Sequence, residues 1–203
     1  LTKDELKSVF DSYDLTQVIG EVKLGLLGSD KVLIFEIKGS GIKDKETSKF
    51  IDRAGLKDAV VRVVHDLDSG KIFLDLTKQF KDGMIKGDEA VAKFMGFLKA
   101  AYGDDKSGIF KALADNLKAL GADFLEGATV KKFLVSVNKG VDGSVELGKS
   151  FDSLDSRLQG FASGLGYASG QEVNFQIDLR SGGIYMVGAS PLEIAGTGKD
   201  LTS

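Results

Sequence analysis

The chain has 203 residues, among them 26 Gly, 13 Phe, one Pro, one His and neither Cys nor Trp, at a formal net charge of −3. Without cysteine, disulfide scaffolds, zinc fingers, iron–sulfur clusters and thiol nucleophiles are excluded, and a single histidine excludes the two- and three-histidine metal sites. At 42% hydrophobic and 28% charged the composition is that of a globular body, and its lysines are interleaved with acids rather than clustered for nucleic acid.

Thr2-Lys3-Asp4-Glu5 has the spacing of a capping box, with Leu6, Val9, Phe10 and Tyr13 following at helical spacing. This predicts a helix over 3–14. In 18–27, Val22, Leu24 and Leu26 alternate with Glu21, Lys23 and Gly25. Gly28-Ser29-Asp30 then turns the chain into a nearly all-apolar run at 32–37, as in a strand buried on both faces. Together these predict a first hairpin. A short helix at 44–54 turns Phe50, Ile51 and Ala54 inward and is closed by Gly55. A second hairpin covers 59–77, and its turn Asp68-Ser69-Gly70 has glycine where a positive φ is needed.

Two clear helices follow, 87–102 with Val91, Phe94, Leu98 and Ala101 on one face, and 107–120 with Ile109, Phe110, Leu113, Leu117 and Leu120, ended by Gly121. Residues 132–138 predict a strand. Phe151, Leu154, Leu158 and Phe161 mark a helix running into a glycine-rich stretch, and 172–187 predict a third hairpin turning at Ser181-Gly182. After Pro191 the sequence has no period and is read as a C-terminal tail, 191–203. The fold class expected is α+β, with antiparallel hairpins packed against about five helices.

Residues 61–76 and 173–188 align without gaps, sharing Val61/Val173, Asp66/Asp178, Leu67/Leu179, Ser69/Ser181, Gly70/Gly182 and Ile72/Ile184. Upstream, 31–39 lies over 132–140 at a shorter offset. An internal repeat follows as an expectation: halves 1–103 and 104–190 packed as a pseudo-twofold unit, with a ligand groove between them. The alternative is that two hairpins share turn chemistry, since Ser-Gly suits any tight turn.

Gly143-Ser-Val-Glu-Leu-Gly148-Lys149-Ser150 fits the phosphate-cradling pattern G-x-x-x-x-G-K-[ST], in which backbone amides and Lys149 would hold phosphates and Ser150 a Mg²⁺. Against it stand a Val-Glu-Leu loop interior, a first glycine set well past the preceding strand, and no later apolar run ending in Asp. Asp66-Leu67-Asp68-Ser69-Gly70 has two of the acids of a calcium loop but not the closing Glu, and is read as a hairpin turn. His65 stands beside Asp66 with no Ser or Cys motif to partner it. Nothing matches a nucleophile elbow, a zinc-protease helix or a dinucleotide-binding glycine loop. The aromatic face of Phe94, Phe97, Tyr102 and Phe110 is read as core or as the lining of a cavity for an apolar ligand.

No catalytic residue, metal site or cofactor is assigned, and the leading expectation is a non-catalytic interaction or assembly protein: a subunit of an exported, surface or virion structure that binds a protein partner or self-associates. The alternatives are a carrier or sensor of an apolar, lipid-like ligand, and a nucleotide binder at 143–150. No stretch reaches the ~18–20 apolar residues of a membrane span. The start at Leu1 is read as a cut, made by processing on export or by choice of boundary.

Overall fold

The computed structural model describes residues 1–196. In chain order the elements are α1 (Lys3–Ser12), β1 (Val18–Leu27), β2 (Asp30–Lys38), α2 (Lys45–Arg53), β3 (Val60–Asp66), β4 (Ile72–Asp75), α3 (Gly87–Tyr102) and α4 (Ile109–Ala119). They continue as β5 (Thr129–Ser136), β6 (Asp142–Ser150), α5 (Ser156–Gly164), β7 (Glu172–Asp178), β8 (Ile184–Met186) and β9 (Leu192–Ala195). All nine strands form one antiparallel sheet in which each strand pairs with the next, so the fold is α+β. The expected hairpins are therefore segments of one continuous meander. Even β4 and β5, separated by α3 and α4, pair directly, with Leu74 opposite Val135.

Helix starts follow the capping chemistry of the sequence. The Glu5 amide donates to Thr2 Oγ1 at 3.2 Å and the Thr2 amide to Glu5 Oε2 at 3.4 Å, while Asp44 and Asp155 accept from the first turns of α2 and α5. One face of the sheet carries the core. Leu33, Phe35 and Ile37 of β2, Val61 and Val63 of β3, Phe133 and Val135 of β5, and Val173, Phe175 and Ile177 of β7 are all buried there with residues of the five helices. The opposite face holds a small cluster, Val32, Val64, Phe73 and Leu134, among mainly polar residues.

Two strands replace segments read from sequence as irregular. Residues 143–150 lie in β6, where Val145 and Leu147 supply only two buried large apolar positions between the flanking glycines, a pattern too sparse to distinguish from a loop. β9 lies in what was read as the tail, and Ile194 and Ala195 are buried there. The remainder of that tail, 197–203, falls outside the described residues.

The order helix, two strands, a 3₁₀ turn, helix, strand, tight turn, strand occurs twice, from α1 to β4 and from α4 to β8, the first with a further 3₁₀ turn (Leu15–Gln17) after its helix. Adding 112 to the residue numbers sets β3 on β7 and β2 (30–38) on β6 (142–150). The shorter offset instead sets β2 on β5, and these strands hold different places in that order.

Candidate functional site

The sheet has two edges of unlike character. At one, β9 has four residues, and Ile194 and Ala195 are buried. At the other, β1 has ten residues. Leu24 and Leu26 lie opposite Leu33 and Lys31 of β2, on the face that carries the core, yet Val22, Leu24 and Leu26 are 53%, 67% and 71% exposed. The alternation read from sequence is right in phase, but no helix covers this end of the sheet. Of the nine large apolar residues left exposed among the described residues, eight lie in 1–26.

Helix α1 stands beside this edge. Glu5 meets Lys31 at the start of β2 at 3.9 Å, and the Tyr13 ring meets Phe35 edge-on, its centroid 4.9 Å away. α1 therefore runs along β2 in the same direction, with Val9 and Tyr13 turned down onto it. The right-handed wind of the helix then places Leu6 and Phe10, one turn apart, on the side that overhangs β1; Phe10 is 54% exposed. Leu6 and Phe10 extend the apolar strip of Val22, Leu24 and Leu26.

The backbone of β1 is also open. The Leu67 amide donates to the Lys31 carbonyl at 2.9 Å, so odd-numbered residues of β2 bond towards β3 and even-numbered ones towards β1. Lys23 and Gly25, opposite Ile34 and Val32, thus bond inward, while Leu24 and Leu26 direct N–H and C=O outward. A bulge between Ile19 and Lys23, with Gly20 at φ 75°, bends the strand at 20–22.

The sites suggested by sequence are dispersed. In β6, Gly143, Gly148, Lys149 and Ser150 pair on one or both sides with β5 and β7, so no loop is present to curl around a phosphate. Lys149 Nζ instead donates to the carbonyls of Asp123 at 2.8 Å and Phe124 at 3.0 Å. Burial lowers its pKa, opposed by the charges of Asp123, Glu126 and Asp155. Phe94 and Phe97 sit in an aromatic stack with Phe80 and Phe133, centroids 5.4–6.4 Å apart. Tyr102 contacts Phe110 and donates to the Leu179 carbonyl at 2.7 Å. The four expected lining residues thus form two groups, each packed on its own neighbours. A groove of about 850 Å³ lies nearby instead, past Phe80, Met84, Glu89 and Ala90 at the start of α3.

Sequence reasoning did not find the partners in two polar arrangements, one buried and one at the turns. His65 is buried in β3, and its Nδ1 lies 2.7 Å from the Tyr13 hydroxyl, which donates to it when the ring proton is on Nε2. Burial lowers the His65 pKa, partly offset by Asp66 and Asp44. At the β1–β2 and β3–β4 turns, Asp30, Asp66 and Asp68 bring carboxylate oxygens within 4.8 Å of one another, the one group with metal-ligand spacing among the described residues. Internal partners already occupy it: Asp66 accepts from the amides of Asp68 and Ser69, and Asp68 from that of Lys31. A hydrogen bond to Asp66, then burial and the neighbouring negative charges, raises the Asp30 pKa. Burial pushes Asp66 up, but the Ser69 amide, Asp30 and the Asp68 amide outweigh it and hold that carboxyl low. Adding 112 leads to Asp142, Asp178 and Arg180, where a guanidinium replaces the third acid and Lys71 pairs with Asp142 at 2.6 Å.

No protein-family model matches the chain, and neither a curated protein nor a solved structure is significantly similar to it.

Proposed function

We propose that the protein is a non-catalytic interaction or assembly subunit that works through the β1 edge and the overhanging side of α1. The observation that carries this reading is the concentration of exposed large apolar residues in 1–26, four of them on β1, a long strand whose outward backbone groups are open. An edge of this kind is normally shortened, charged or covered, because it templates pairing with another chain. Here only Glu21, Lys23 and the bulge interrupt it. The opposite edge is short, with Ile194 and Ala195 buried and Leu192 half-buried, which favours a partner on one side of the sheet alone.

The test is a photo-crosslinking residue at position 24, compared with one at exposed position 118 on α4, in cells that make the protein. Crosslinks from position 24 to one defined species, a second copy or another protein, support the reading. Equal and diffuse labelling from both positions would overturn it.

The two halves are proposed in addition to be diverged copies of one unit. The repeated element order, the residue-for-residue fall of β2 on β6 and β3 on β7, and the six shared residues of the aligned hairpins support this.

A further inference from the structure

The reading of β1 as an interaction edge leaves its occupant open. We propose that the occupant is a second copy of this chain, whose β1 pairs antiparallel with this one about a twofold axis through Val22. The inference rests on that reading of the edge.

Charge complementarity selects the partner and the register. In an antiparallel pair of identical strands, a twofold axis at Glu21 sets two glutamates face to face, and one at Lys23 sets two lysines face to face. Like charges directly opposite destabilise a ladder, and opposite charges stabilise it. An axis at Val22 sets Glu21 against Lys23 of the other copy, twice. In the same register Val22 meets Val22, Leu24 meets Gly20 and Leu26 meets Val18, all on the core-bearing face. Val18, Leu24 and Leu26, at registered positions on either side of the bulge, share the outward alternation, while Gly20 and Val22 lie within the bulge itself. The bulge bends β1 at 20–22, around the residue on which the axis falls.

A twofold axis perpendicular to the sheet keeps the core-bearing faces of both copies on the same side. The two α1 helices then flank the seam, with Leu6 and Phe10 of each above the joined strips of Val22, Leu24 and Leu26. The interface is isologous and closed, so association stops at the dimer.

Sedimentation equilibrium on the purified chain tests this. A monomer–dimer equilibrium is expected for the natural sequence. Glu21→Lys and Lys23→Glu should each weaken it by roughly tenfold, from two opposed like-charge pairs in place of two attractive ones. The double variant E21K/K23E, which restores complementarity in this register alone, should recover it. Leu24→Asp should leave a monomer. Because these side chains are exposed, thermal unfolding of each variant is expected to match the natural protein, which separates loss of pairing from loss of fold. A monomer at every concentration, or a dimer indifferent to these substitutions, overturns the inference. If crosslinks from position 24 then lead to a different protein, the edge remains an interaction surface and only the second copy is refuted; if they are diffuse, both readings fail.

Discussion

At the residue scale the polar groups inside the core govern how the protein responds to its surroundings. His65 is neutral by burial, so its native pKa lies below the ordinary 6.5 that it regains on unfolding. The unfolded chain therefore binds this proton more readily. The stability that comes from keeping the ring neutral is complete above pH 6.5 and is lost as pH falls from there through the lowered native value. Melting temperature is expected to drop between about pH 7.5 and about pH 5.5, and His65→Gln should flatten that dependence. The carboxyls held low, such as Asp66 and Asp142, weaken the fold only in more acidic solution, so the two effects occupy separate pH ranges.

Lys149 is a second such group. Its ammonium satisfies two carbonyls of the segment after α4, and Lys149→Met would leave both without their donor. A loss of about 1–3 kcal/mol in urea unfolding is expected. A phosphate-binding lysine on the surface would show little change.

At the scale of elements, glycine separates what a helix tolerates from what a ladder requires. Gly96 lies inside α3 with no atom within 4 Å of where a Cβ would stand and no positive φ. Gly96→Ala should stabilise the protein by about 0.5–1 kcal/mol. Gly143 in β6 has φ 124°, and a Cβ there would lie 2.0 Å from the Leu134 carbonyl oxygen. Gly143→Ala should cost about 3 kcal/mol or more, because both the backbone and its neighbour would have to move. Denaturant midpoints of the two variants should therefore shift in opposite directions. That glycine reads in sequence as the start of a loop; in the structure it is a close approach between paired strands.

At the scale of the molecule, one hydrophobic cluster runs from Val9 of α1 to Ala195 of β9, through both proposed halves. The β4–β5 pairing binds the halves across the sheet, and Phe133 of the second half stacks on Phe80 and meets Phe94 edge-on in the first. A single cooperative transition is expected, with equal calorimetric and van't Hoff enthalpies. The fragments 1–103 and 104–196 should each be unfolded alone, as read by circular dichroism. Fragments that fold separately would show that each half carries its own core.

Local chemistry made much of this legible in sequence. The capping box at Thr2, the Ser-Gly turns and the helical spacing in 87–102 and 107–120 involve residues a few positions apart, so near-neighbour energetics fix them. The α+β class follows from the same signals. β6 and β9 were not legible, because a strand with two or three apolar side chains gains its stability from the strands and core it meets in the fold. Order within the sheet, the β4–β5 pairing and the fate of the acidic turns likewise depend on residues far apart in the chain. The candidate edge shows the division most plainly. The alternation of Val22, Leu24 and Leu26 determined that β1 is a strand with one apolar face. Only the tertiary structure decided that this face has no helix over it, because cover is supplied by elements from elsewhere in the chain, and they end at β2.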